Sequence, residues 1–192
     1  MLKQRVGILF RGFVSRDPNF LKRAYITYIR PLLEYCTIIW NPTLKNFIDK
    51  IESVQRNFTK RIPTLASLSY LERLDSLQLE SLELRRLRFD LIYYFKILHN
   101  LTPHDPTDFF TFHNPPESSR QSSPILVRPT KGSNSFFSTF SYRAITCYNT
   151  LSCDIKNQNS LASFKKMLSN VNLKPFLYGS CFTYLNDFKC FM

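Results

Sequence analysis

Leu82-Glu83-Leu84-Arg85-Arg86-Leu87-Arg88-Phe89-Asp90-Leu91-Ile92-Tyr93-Tyr94-Phe95-Lys96-Ile97-Leu98 is the stretch on which the fold turns. Leu84, Leu87, Leu91, Tyr94, Phe95 and Leu98 recur at helical spacing and form one stripe. Leu82, Phe89, Tyr93 and Ile97 form a second stripe on nearly the opposite side. A helix that is apolar on two sides is covered from both, which makes it the central helix of a bundle. The pattern predicts a helix over residues 80–101, roughly 33 Å long at 1.5 Å per residue.

Toward the N-terminus, shorter helices surround this one. Residues 1–15 place Leu2, Val6, Leu9, Phe10 and Phe13 on one face. Asp17-Pro18 is a start signal, a capping carboxylate followed by a ring whose missing N–H costs nothing at the first helical position. From there Phe20, Leu21, Ala24, Tyr25, Tyr28, Ile29, Leu32, Leu33 and Cys36 line one face to near Trp40, with a break or kink expected at Pro31. Asn41-Pro42 repeats the start signal, and a helix to Ile62 follows before Pro63 stops it. Its apolar face is Leu44, Phe47, Ile48, Ile51, Gln55, Phe58 and Ile62, and its polar face Lys45, Asp49, Glu52, Arg56 and Lys60. Glu52 and Arg56 stand at the favourable i,i+4 spacing. A short helix is expected over Leu71–Leu77.

Toward the C-terminus, residues 103–135 hold six of the eleven prolines and many serines, and read as an extended connection with a short strand at Ile125-Leu126-Val127. Two helices follow, at about 137–151 and 159–169, and then an aromatic tail without clear period. The expected architecture is therefore mainly α: a basic helical bundle over 1–102, a Pro/Ser-rich extended connection over 103–135, a helical pair over 136–170 and a tail over 171–192.

The chain has 192 residues, 44% apolar and 15% aromatic, which is enough for a real core. Lys and Arg number 26 against 14 Asp and Glu, a formal charge of +12. Residues 1–100 carry 17 basic and 9 acidic groups, net +8, and the remainder 9 and 5, net +4. Such an excess suits a polyanionic partner. Gly7, Gly12, Gly132 and Gly179 form neither GxGxxG nor a P-loop, which argues against a glycine-built phosphate cradle. Five cysteines without a CxxC pair fit reduced thiols in an intracellular compartment, nucleus or cytoplasm. No apolar run approaches the roughly 20 residues that span a bilayer. Lys3, Arg5, Arg11 and Arg16 precede the first acid, a pattern shared by mitochondrial presequences and by ordinary surface helices.

Catalytic patterns are missing from the sequence. Two-metal nucleotidyl transfer needs close carboxylates, and there is no Asp-Asp or Asp-x-Asp pair. His99, His104 and His113 are not placed beside a nucleophile by any recognisable spacing. Cys147 and Cys153, and Cys181 and Cys190, are too far apart for the usual zinc pairs. No catalytic or metal-binding residue is therefore assigned. The basic residues remain. Lys22, Arg23, Arg30, Arg56, Lys60, Arg61, Arg85, Arg86 and Arg88 are the candidate phosphate contacts, as a group, since Lys and Arg neutralise phosphates and release counterions. A solvated basic helix surface would carry the same charge pattern. Most aromatics fall on core stripes and offer no stacking platform.

Several segments resemble the C-terminal region of reverse transcriptases from jockey-like non-LTR retrotransposons. They are Tyr28-Ile-Arg-Pro-Leu-Leu-Glu-Tyr-Cys36 ending at Trp40-Asn-Pro42, Ile51-Glu-Ser-Val-Gln-Arg-Asn-Phe-Thr-Lys-Arg-Ile62, Tyr70-Leu-Glu-Arg-Leu74, Leu79-Glu-Ser-Leu-Glu-Leu-Arg-Arg86 and Asp90-Leu-Ile-Tyr-Tyr-Phe-Lys-Ile-Leu98. Phe136-Phe-Ser138, Arg143 and Ser160-Leu-Ala-Ser-Phe-Lys165 also agree, in order, over roughly residues 20–170. The family usually shows Trp-Asn-x-Leu-Pro near the late helix, where this chain has Tyr148-Asn149-Thr150-Leu151-Ser152, a departure that suits a divergent copy. The family's palm Asp-Asp motif and upstream endonuclease do not appear in this sequence. The resemblance implies a thumb and post-thumb region that begins after the palm, binds template-primer or element RNA, and is inactive alone. It leaves the Mg of polymerase chemistry to the missing palm, itself an expected partner, and gives no cofactor and no membrane role to this chain. A protein-interaction module, or the non-functional product of a truncated element, are the alternatives.

Overall fold

The computed structural model describes residues 2–113, 125–127 and 139–179. The expectations for Phe136-Phe-Ser138, most of the Pro/Ser-rich connection, Cys181 and Cys190 lie outside them. The described chain is mainly helical, as the apolar periodicity predicts. It divides into two compact units. The first comprises 1–37, 42–85 and 177–192, and the second 38–41 and 86–176.

In the first unit, α1 (Leu2–Gly12), α2 (Pro18–Tyr28), α3 (Arg30–Glu34), α5 (Lys45–Lys60) and α6 (Tyr70–Ser76) enclose one core. The Asp17-Pro18 signal works as read: the Asp17 carboxylate accepts from the Phe20 N–H at 2.7 Å and Pro18 opens α2. The helix breaks at Ile29, two residues before Pro31. Beyond α3 the expected continuous face fails. Tyr35 is extended, Cys36 sits at φ 52°, and a separate short helix, α4 (Thr37–Trp40), follows. Phe20, Tyr28, Leu32 and Cys36, expected on a buried face, are exposed.

Tyr25 stacks on Phe58 with ring centres 4.4 Å apart, and Phe10 packs on Phe58 at 5.8 Å. Such aromatic pairs each add about 0.5–1.5 kcal/mol beyond their burial. Around this centre lie Val6, Leu21, Ile62 and Leu82, all fully buried. A capping box starts α6: Ser69 Oγ accepts from Glu72 N–H and the Glu72 carboxylate accepts from Ser69 N–H at 2.7 Å. Gly179 is seated tightly. Its N–H donates to the buried Glu83 carboxylate at 3.0 Å, and a Cβ there would stand 2.5 Å from Glu83 Oε2.

The expected long helix is α7 (Leu82–Leu98), shorter than 80–101 because Asn100 adopts φ 53° and turns the chain. Every residue of α7 is buried or half-buried, so its two apolar stripes are both covered. It crosses from the first unit to the second between Arg85 and Arg86.

In the second unit, Tyr94 lies edge-on to Phe110 and Phe140, and Phe95 stacks on Phe164 at 4.2 Å. The expected strand forms, as β2 (Ile125–Leu126), and pairs antiparallel with β1 (Phe112–His113). The helix expected over 137–151 is divided at Ala144 into α8 (Phe140–Arg143) and α9 (Ile145–Thr150). An unexpected turn of helix follows, α10 (Cys153–Lys156), and then α11 (Leu161–Ser169), capped by Ser160. Among the described residues no helix is long and apolar enough to cross a membrane.

Candidate nucleic-acid interface

Nine basic residues were expected to face a polyanion, and the fold disposes of them in four ways. Arg23, Lys60 and Arg61 are exposed and Lys22 is half-buried. None of these four pairs with a carboxylate among the described residues. Arg61 lies over the Phe10 ring, 4.6 Å from its centre, and Arg16 approaches the same ring at 5.9 Å. The Arg16 guanidinium also donates to the Phe10 carbonyl at 3.1 Å, closing the end of α1. Arg16, Lys60 and Arg61 therefore form one exposed cationic spot drawn from separate parts of the chain. Arg16 was missed in the sequence because nothing local links it to position 61; only the shared ring of Phe10 does.

Arg30 and Arg85 are bound inward. Arg85 grips the Glu34 carboxylate with two nitrogens, the Nη2 bond measuring 3.1 Å, and lies 3.8 Å from Glu80. Arg30 reaches the same Glu34 at 3.9 Å. Burial and the neighbouring Arg85 charge lower the Arg30 pKa. Burial is the strongest single pull on Arg85 and lowers its pKa, but the bond to Glu34 together with the Glu34 and Glu80 charges outweighs it and leaves that pKa raised. Both guanidinium groups stay charged, and Glu34 already answers much of their field.

Arg56 is half-buried with its guanidinium 5.1 Å from the centre of the Tyr70 ring, and the buried Arg73 meets that ring at 5.6 Å. Arg88 is half-buried and donates to the Ser169 carbonyl at 3.5 Å.

Arg86 corrects the sequence reading outright. It is fully buried and cannot meet a phosphate. Its Nε donates to Asn41 Oδ1 at 2.9 Å, and Asn41 Nδ2 donates to Asp90 at 2.9 Å. Arg143 completes the cluster with a two-nitrogen grip on Asp90, at 2.6 and 2.7 Å, and a bond to the Ile38 carbonyl. Asn41 is thus not the helix cap that Asn41-Pro42 suggested. Helix α5 starts at Lys45 without a side-chain cap, because Asn41 is held by residues 45 and 49 positions away.

Glu52 is a second correction. Placed on the polar face of α5 by its spacing, it is buried at 1% exposure. It accepts from the Tyr70 hydroxyl and from the Leu82 N–H at 3.0 Å, which satisfies the first turn of α7. Beside it the buried Gln55 accepts from the Tyr25 hydroxyl at 2.9 Å and donates to the Tyr70 hydroxyl and the Glu80 carbonyl. Burial raises the Tyr25 pKa far above the ordinary phenol range.

Among the described residues of the first unit, five acids and five cations are buried or half-buried, so its net positive charge lies on the exposed side chains. Its exposed charges among the described residues are Lys3, Arg5, Arg11, Arg16, Arg23, Lys45, Lys50, Lys60 and Arg61, nine cations, against Asp17, Glu72 and Asp75, three acids. The exposed excess of six equals the net charge of all the described residues of the unit, so the inward charges cancel one another. Among the described residues no group of three His, Cys, Asp or Glu side chains is arranged to hold a metal ion.

No protein-family model matches the chain, and neither does any curated protein or solved structure.

Proposed function

We propose that the chain is the thumb and post-thumb region of a jockey-like non-LTR retrotransposon reverse transcriptase, which holds template-primer duplex or element RNA and performs no chemistry alone. The observation that carries the binding half of this reading is the outward excess of cations on the first unit, nine against three among its described residues. Such a surface grips phosphates without reading sequence. Supporting the family half, the quoted segments meet through buried and half-buried side chains. Asn41, Arg86, Asp90 and Arg143, from four of them, share one cluster. Glu52, Gln55 and Tyr70, from two others, share another. Residues that specify a fold through long-range polar contacts account for a signature spread over 150 positions.

The test is fluorescence anisotropy of the whole chain against an RNA–DNA hybrid over a salt series. The expected result is submicromolar affinity at low salt that falls steeply as salt rises, by about 0.9 in log–log slope for each phosphate contact on duplex DNA and somewhat less on single strands. Affinity weaker than micromolar at low salt, or one indifferent to salt, contradicts the reading. A protein-interaction role is the second reading. It is favoured by an apolar groove of about 520 Å³ between α1 and α2, beside the exposed Ile8 and Tyr28.

A further inference from the structure

The second unit contains a cavity of about 520 Å³ that the phosphate-gripping surface does not use. Its size falls in the range of small-ligand sites. Phe112 and the buried Tyr148 give it aromatic walls, and Lys156, His99, Asp105 and Asn157 give it polar ones.

The polar groups are held in place with capacity to spare. Lys156 Nζ donates to the Asn149 carbonyl at 2.8 Å and stands 5.7 Å from the centre of the Tyr148 ring. No carboxylate pairs with it among the described residues. Burial lowers its pKa, so the ammonium is incompletely compensated where it sits. The His99 ring is stacked on Phe95 at 3.9 Å, and its Nε2–H donates to the Lys156 carbonyl at 2.8 Å, which leaves Nδ1 as an acceptor. Asp105 takes both its bonds from Thr107 on Oδ1, which leaves Oδ2 to accept as well. Those bonds lower the Asp105 pKa and keep the carboxylate ionised at neutral pH. The Asn157 side chain adds one donor and one acceptor.

The ligand this lining fits has an anionic group for Lys156, a flat face for Tyr148 and Phe112, and an edge with N–H donors for Asp105 and His99. A simple carboxylic acid and a lipid headgroup both lack a flat face to stack. A nucleotide has all three. We propose that the cavity seats one unpaired nucleotide of the bound strand, its phosphate on Lys156, its base against the aromatic walls and its Watson–Crick edge, where every base carries an N–H, toward Asp105. Unpaired bases expose the face and edge that this requires. The inference rests on the nucleic-acid reading above and assigns that reading a base-binding site separate from its phosphate-binding surface.

The experiment uses the whole chain in two arms. In the first, a short single-stranded RNA carrying 5-iodouridine is bound, photo-crosslinked and mapped by peptide mass spectrometry. In the second, AMP, GMP, CMP and UMP are titrated by calorimetry. The proposal expects crosslinks on Tyr148 or Phe112 and saturable mononucleotide binding. Lys156→Met should weaken mononucleotide binding about tenfold, the loss of one charge-assisted bond. Asp105→Asn, at an exposed position, should change the order of preference among the four bases with the circular dichroism unchanged. Lys165→Gln/Lys166→Gln, exposed cations outside the cavity lining and outside the phosphate-binding surface, should leave mononucleotide binding as it is. Strand binding with crosslinks only on peptides of the first unit, and mononucleotide binding absent or indifferent to both cavity variants, overturns the pocket and leaves the proposed function standing. Mononucleotide binding without strand binding overturns the strand as the source and the proposed function with it. If Lys156→Met fails to fold, the crosslink map and Asp105→Asn decide.

Discussion

The two units handle charge in opposite ways. The first exposes nine cations among its described residues and, besides the buried Arg73 and Glu83, holds a largely uncharged network: Gln55, Tyr25 and Tyr70 around the single carboxylate of Glu52. The second buries a full ion cluster, Asp90 with Arg143 and Arg86, and exposes as many acids as cations among its described residues. Its exposed charges among the described residues are Lys165, Lys166 and Lys174 against Asp105, Asp108 and Asp154. An outward cation adds to the field that attracts a polyanion, whereas a buried one is spent on the fold. Counting Arg in the sequence cannot separate these uses, and Arg86 beside Arg85 is the plainest case.

The largest contrast should appear in thiol reactivity. Cys36 of the first unit is exposed, and Cys147 of the second is buried with its thiol pushed up to about 12. Burial and loss of thiolate both slow alkylation. Iodoacetamide at pH 8, followed by peptide mapping, should label Cys36 faster than Cys147 by on the order of a thousandfold, with Cys147 labelled readily only in denaturant. Comparable rates would mean that the second core is not closed around Cys147.

The buried networks should differ next. Arg143→Met removes the two-nitrogen grip on the buried Asp90, leaving it only Asn41 and the Arg86 charge, and should reduce the unfolding free energy in urea by about 3 kcal/mol. Tyr70→Phe removes one hydroxyl from the Glu52–Gln55 network and should cost about 1–2 kcal/mol. Equal losses would contradict the distinction between an ionic cluster and a mostly neutral one.

Local signals in the sequence placed most helices. Asp17-Pro18 and Pro63 act through their own backbone neighbours, so they could be read in place. The Ser69–Glu72 capping box was equally legible and went unread. What failed depended on partners far along the chain. Asn41-Pro42 has the form of a cap, yet Asn41 is claimed by Arg86 and Asp90. Glu52 has polar-face spacing, yet the open first turn of α7 draws it inward. Of the candidate site, Arg23, Lys60 and Arg61 stayed outside as expected. The run Arg85-Arg86-Arg88 could not all face outward, because consecutive residues turn about 100° around a helix axis. On a helix covered on two sides, at least one of them had to be accommodated within the fold. The cavity lined by His99, Asp105 and Lys156 had no signal, since its residues lie in separate segments without motif spacing.

The central claim is that the first unit, not the second, supplies the phosphate grip. Two triple variants of the whole chain test it against the same RNA–DNA hybrid: Arg23→Gln/Lys60→Gln/Arg61→Gln, and Lys165→Gln/Lys166→Gln/Lys174→Gln. Each removes three exposed cations, so their net charges are identical. The account predicts that the first lowers the slope of log K against log salt by about 2 to 3 and the second leaves it near the wild-type value. Equal changes in the two slopes would reduce the binding to net charge, and a larger change in the second would place the grip on the other unit.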